Sequence, residues 1–301
     1  MQKRNPLWFL FCVIENYKSM HMTIKKYTMI FILLITNIFM VKAQHPPVFD
    51  GMTTDSTKIM LGDLELDLVR YSYQTPGINF LAIHDNEDTG VKAAFDYIAM
   101  NGGSILDCQY GGARNFKFTE DEITYQTDPN SIYTDEGLPL GLAKYGASSE
   151  PVIAELKNTG KIIMKTYNQN RPGYIFTLHN NADGGFGIQS YLPENELGST
   201  ADSVHVNYEM DEDDMILVTE LKLFNLLKKE DVNVVLQSQE AVDDGSLSIY
   251  AMQNKIPYIN VEVQHGHQDE NLRLIQMGVK AMAEAHPEKG IKKPAESTAG
   301  F

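Results

Sequence analysis

Phe80-Leu81-Ala82-Ile83-His84-Asp85-Asn86-Glu87 is where an apolar run breaks into residues that can bind metal ions or move protons. Ile78–Ile83 has the length of a strand, and its largely apolar character fits a strand covered on both faces. Two further runs are built the same way. Tyr174–Leu178 delivers His179-Asn180-Asn181, and Tyr258–Val263 carries Glu262 near its end. A carboxylate inside an apolar strand is costly to bury unless it is paired or functional, which marks out Glu262.

Leu64–Val69 alternates apolar and polar residues with the period of a half-buried strand. Thr89–Met100 has helical spacing and stops at Asn101-Gly102-Gly103. Ser104–Cys108 reads as a short strand, Phe116–Tyr125 as a hairpin and Pro151–Leu156 as helical. Asp214–Lys229 reads as an amphipathic helix with acids in its first turn and lysines in its last, as the helix dipole favours. Val232–Leu236 is another strand run and Glu270–Ala285 another helix. Strands and helices therefore alternate. This predicts an α/β fold over residues 61–288: a single domain with a mostly parallel mixed sheet flanked by helices. Residues 44–60 read as a leader arm and 289–301 as a flexible tail. In such sheets ligands bind beyond the carboxyl ends of the strands, where the three loaded runs end.

Lys25 and Lys26 precede an apolar run from Met29 to Val41, and Val41-Lys42-Ala43 has the small residues of a cleavage site. Residues 22–43 are thus a signal peptide by pattern, and 1–21 an upstream extension ahead of Met22. The run is shorter than the roughly 20 residues a spanning helix needs, so the expected product is periplasmic or secreted, with no stable membrane insertion after cleavage. The full chain has 25 basic and 40 acidic residues, net −15, and beyond residue 43 the balance is 19 against 39, net −20. Nucleic acid is excluded as a partner, because phosphate binding needs clustered Lys and Arg. The two cysteines, Cys12 and Cys108, rule out a paired-cysteine zinc site, and no Gly-x-Ser-x-Gly elbow is present.

Two His and one Glu are a catalytic zinc set that leaves a fourth position for water. His84 and Glu87, three apart, can reach one ion from a single turn, and His179 would close the site from another strand. Glu262 would then be the proton carrier. His267-Gln268-Asp269-Glu270 repeats the spacing, but Glu270 suits the first turn of a helix. His265 and His267 form a rival pair around Gly266. Gly184-Gly185-Phe186-Gly187 lacks the Gly-Lys-Ser of a phosphate loop.

The order strand, His-x-x-Glu, strand, His, strand, Glu resembles the zinc carboxypeptidase superfamily, and more closely its succinylglutamate desuccinylase and aspartoacylase branch. Arg114-Asn115-Phe116 followed by Asp128-Pro129-Asn130-Ser131 resembles the family's substrate segment, and Pro257–Val263 its catalytic-Glu strand. The resemblance implies Zn2+ on His84, Glu87 and His179, with Glu262 as general base and then acid. It implies that Arg114 polarises the scissile carbonyl and that Arg114, Asn115 and Asn130 contact a small peptide or acylated amino-acid substrate. One position departs. Where the family has an Arg that clamps a terminal carboxylate this chain has Ser131, and a hydroxyl cannot replace a guanidinium fork. Tyr250 is close in sequence to the family's tyrosine ahead of the catalytic Glu, but also reads as core. Two functions follow: a secreted zinc-dependent amide hydrolase, or a catalytically impaired binding protein on the same fold. The leader reading makes its own prediction: N-terminal sequencing of the exported protein finds Gln44 first, and a chain beginning earlier refutes the cleavage site.

Overall fold

Alternate residues of the Ile78–Ala82 strand enter two different hydrophobic cores, and this sets the layers of the molecule. Phe80 and Ala82 pack into one core and Leu81 into the other, so the strand is buried on both faces. The structure is a computed structural model that describes residues 45–170 and 173–294. The upstream extension, the signal peptide and residues 295–301 lie outside the described residues.

The elements run β1 (Thr53–Leu61), β2 (Leu64–Tyr73), β3 (Ile78–Ala82), α1 (Asp88–Asn101), β4 (Gly103–Gln109), β5 (Phe116–Glu120), β6 (Ile123–Thr127), α2 (Gly137–Ala143), α3 (Glu150–Tyr167), β7 (Ile175–Asn181), β8 (Ala201–His205), β9 (Met215–Val218), α4 (Leu221–Lys229), β10 (Val234–Gln237), α5 (Leu247–Gln253), β11 (Tyr258–Gln264) and α6 (Gln268–Ala285). Nine strands form one mixed sheet in the order β1-β2-β4-β3-β7-β11-β9-β10-β8, and β5 and β6 form a separate hairpin. The central four, β4, β3, β7 and β11, are parallel, while β2 and β9 add to them antiparallel. Helices α1, α4 and α6 bury their apolar stripes on one face of the sheet. Helices α2, α3 and α5, with the hairpin, bury theirs on the other. The expected single α/β domain with a mixed, helix-flanked sheet is the observed architecture, its parallel character concentrated at the centre.

Three local expectations need correction. The stretch expected as one helix over Asp214–Lys229 is split. Met215–Val218 is a fully buried strand between β11 and β10, and only Leu221–Lys229 is helical. Four consecutive apolar residues fit a strand covered on both faces better than a helix with one wet side. The leader arm is also shorter than expected, because Thr53–Leu61 pairs along its whole length with β2 as an edge strand. The expected boundary between domain and tail, at 288–289, falls inside a short 3₁₀ turn, Pro287–Lys289. Helices α2 and α5, each seven residues, and the edge strand β8 had no clear sequence signal.

One close approach fixes the floor beside the functional end of the sheet. Gly137 opens α2 directly against Asp243, Asp244 and Gly245, and a Cβ there would overlap the Gly245 amide nitrogen. Gly137→Ala gains at most about 1 kcal/mol in helix propensity. It creates an overlap with backbone, where overpacking costs about 1–3 kcal/mol or more. Urea unfolding should therefore show a net loss of stability, and equal or greater stability would refute the contact.

Candidate metal centre and cleft

Strand register brings the distant runs together. In the parallel pair β7–β11, Glu262 lies opposite His179, and Asn260 opposite Thr177. On both strands the intervening residues, Phe176 and Leu178, Ile259, Val261 and Val263, point into the α1–α4–α6 core. Thr177, His179, Asn260 and Glu262 therefore face the other way, at the carboxyl end. Below them Thr177 Oγ1 bonds Tyr258 Oη (2.8 Å) and Asn260 Oδ1 (3.0 Å), fixing the two strands at this point.

His84 and Glu87 come from the turn between β3 and α1, closed by the Glu87 N–H donating to the His84 carbonyl (3.2 Å). Glu87 stands at the N-cap of α1, where a carboxylate could cap the helix. Its side chain makes no such bond. It turns instead to the histidines: Oε1 is 3.0 Å from His84 Nδ1, and Oε2 is 3.3 Å from His179 Nδ1. The two Nδ1 atoms are 3.1 Å apart. All three residues are at most 3% exposed.

These separations test the fit of a metal. A tetrahedral ion with arms of about 2.0–2.1 Å to nitrogen and oxygen has ligand–ligand edges of about 3.3–3.4 Å. The observed edges are close to that range. Two imidazole nitrogens also face each other across a gap that can hold one proton at most, so both can offer lone pairs only to a cation. The His₂Glu donor set with a free fourth direction into a cleft suits zinc.

Behind His84 stands a residue the sequence reasoning did not single out. Asp128 Oδ1 is 2.8 Å from His84 Nε2 and also accepts the Asn130 N–H (2.7 Å). The carboxylate fixes the imidazole so that Nδ1, not Nε2, faces the other donors, and it raises that nitrogen's basicity. Burial, the largest single influence, would raise the Asp128 carboxyl, but the bond from His84 and its charge, the Asn130 N–H and Arg114 together outweigh it and hold it at about 2. Its only sequence signal was its place at the head of Asp128-Pro129-Asn130. Arg114 bonds Glu87 Oε1 through Nη1, and its Nη2 lies 3.6 Å from Asp128 Oδ2. Half of the Arg114 side chain remains exposed to the cleft.

The cleft has a volume of about 740 Å³ and is lined by His84, Glu87, His179, Glu262, Arg114 and Asn130, with Tyr191, Leu217, Val242 and Ile249 among its apolar walls. Glu262 is 8% exposed, and burial pushes its carboxyl up to about 6, with Glu87 raising it further against the pull of His179. Asn260 Nδ2 donates to Glu262 Oε2 (3.3 Å). Asn130 lines the cleft while its Oδ1 accepts the Leu247 N–H at the start of α5 (3.1 Å). Asn115 and Ser131 are not on the cleft wall. Arg114 is the only Lys or Arg on that wall among the described residues.

The rival features separate from this centre. His267 bonds Asp214 Oδ2 (3.0 Å) in a second cluster with Asp211, and Glu270 pairs with Arg273. His265 lies on the cleft. Gly184 donates its N–H to the Asp213 carboxylate (2.7 Å), which occupies the place an anion would take. Burial pushes the Cys108 thiol well up, consistent with a core residue.

No family model and no curated protein matches this chain. Among solved structures it is similar to a metallopeptidase candidate from Shewanella denitrificans (12% identity, 77% of this chain and 85% of that one, TM-score 0.39). It is also similar to the murein-tripeptide amidase MpaA from Escherichia coli (13% identity, 78% and 92%, TM-score 0.38). The chemistry of the site is read from its own atoms.

Asp128→Asn keeps the shape but weakens the carboxylate behind His84. Competition with a chromophoric chelator should show zinc affinity reduced about 10–100-fold; an unchanged affinity would remove Asp128 from the centre.

Proposed function

We propose that this chain is an exported, zinc-dependent hydrolase of an amide bond in a peptide or N-acyl amino acid. The observation that carries the reading is the convergence of His84 Nδ1, His179 Nδ1 and the Glu87 carboxylate, all buried, within ion-binding distance of one another at the base of an open cleft.

Bound there, zinc would lower the pKa of a coordinated water to about 7 and polarise a carbonyl. The rest falls to the protein. Glu262, on the neighbouring strand, holds a carboxylate whose pKa is near neutrality, the range suited to taking a proton from water and returning it to a leaving nitrogen. Arg114 reaches the cleft from the far side of Glu87 and provides the cation for charge that develops on the carbonyl oxygen. Asp128 holds the His84 tautomer, and Asn130, tied to α5, frames the substrate wall. With Arg114 the single Lys or Arg on the cleft wall among the described residues, a substrate without a free carboxylate at the clamping position is favoured. The family resemblance read from the sequence points to the same chemistry.

The alternative, an impaired binding protein, leaves a buried, near-neutral Glu262 without a task. One experiment separates the two. The purified protein should hold about one zinc per chain, lost in His84→Ala, as a single three-ligand site requires. Glu262→Gln should retain the metal but lose about 10²–10⁴-fold in turnover of an amide substrate. Because the Glu262 carboxylate must be ionised to accept a proton, activity should fall as pH drops through its pKa. A bound cation lowers that pKa, so the acidic limb lies at or below about 6. Full activity in Glu262→Gln refutes the mechanism, and a metal-free protein after zinc is offered refutes the site.

A further inference from the structure

The segment ahead of β1 contributes a charge to the interior. His45 lies between two carboxylates near the carboxyl ends of β3 and β4: Nε2 is 3.2 Å from Asp85 Oδ1, and Nδ1 is 3.0 Å from Asp107 Oδ2. Asp85 and Asp107 are 2% and 1% exposed. Two carboxylates at that depth are strongly disfavoured without a cation. Among the described residues His45 is the one cationic side chain in ion-pair contact with either. The adjacent carboxylates of Asp107 and then Asp85 push its imidazole up to about 10, so it is charged at neutral pH.

Asp85 directly follows His84, and its second oxygen is also committed. Oδ2 accepts the backbone N–H groups of Tyr110 and Gly112. The Asp85 N–H in turn donates to Tyr110 Oη (3.2 Å), which donates to the Arg114 carbonyl (2.8 Å). Asp85 therefore bolts the turn that carries His84 and Glu87 to the loop that carries Arg114. Its Oδ1 is held from the other side by His45.

We propose that His45 is a positioning residue for the metal centre: it clamps Asp85 from the N-terminal arm and thereby holds the His84–Glu87 turn and the Arg114 loop in register. The consequence for metal binding rests on the functional reading above, while the clamp itself rests on the ion-pair geometry.

The test uses the mature chain with His45→Gln, which keeps hydrogen-bonding capacity and removes the charge. Amide hydrogen exchange should accelerate about tenfold or more at Glu87, Tyr110 and Gly112, with β7 and β11 unchanged, as for a local opening. Zinc affinity should fall about tenfold, the lower end for a partner outside the ligand set. His45→Lys, which returns a cation, should recover part of both, and it replaces His45→Gln if that variant does not fold. Unchanged exchange at Glu87, Tyr110 and Gly112 overturns the proposal. So does an equal acceleration throughout the domain, which would make His45 a source of global stability alone. A parent protein that binds no zinc sinks the functional reading, and exchange still decides the clamp.

Discussion

A buried carboxylate held between two imidazoles is the constraint on which the rest of this structure depends. Glu87, 3% exposed, touches His84, His179 and Arg114. Burial by itself would favour a neutral Glu87, yet the surrounding histidines hold its carboxyl well below the usual range. A group so placed is expensive for a fold to maintain. Ion pairs buried in this way return little net stability, since desolvation offsets most of the attraction. Their retention here is understandable as preparation for a divalent cation, which satisfies all three donors at once.

The sheet makes this preparation possible because rigid strands carry the groups. His179 and Glu262 are opposite each other in a parallel pair whose alternate residues are locked in an apolar core. A shift of one residue in either strand would turn its polar set into that core. The position of Glu262 relative to His179 is thus set by hydrophobic burial several ångströms away. The loops supply what strands cannot: Asp128 and Asn130 from the 3₁₀ turn at Pro129–Ser131, and Arg114 from the segment after β4.

Much of this was legible in the sequence, and the failures have physical reasons. His84, Glu87, His179 and Glu262 could be found because each sits at the end of an apolar run, where period-two burial and sheet topology limit the destinations of a side chain. Asp128, His45 and Asp107 could not be found in this way. Their roles depend on contacts across 44, 40 and 62 positions of chain that no local pattern encodes. The Asp214–Lys229 stretch misled because its acids and lysines matched a helix dipole, while the deciding factor was coverage of Met215–Val218 on both sides by neighbouring strands. Asp214 itself accepts the Gln264 N–H (2.8 Å) and serves the end of β11, not the start of a helix.

The chain is strongly acidic, and Arg114 is the single Lys or Arg on the cleft wall among the described residues. That guanidinium is already engaged by Glu87 and Asp128, with half its surface free. A substrate carboxylate would therefore compete with two internal carboxylates for one cation, and Ser131, off the cleft wall, offers it no second fork. A neutral carbonyl asks less: one hydrogen-bonded cation near the metal ligands is enough to stabilise its developing negative charge. In the proposed hydrolase, the same arrangement that makes this site poor at clamping a terminal carboxylate leaves it fit for polarising an amide.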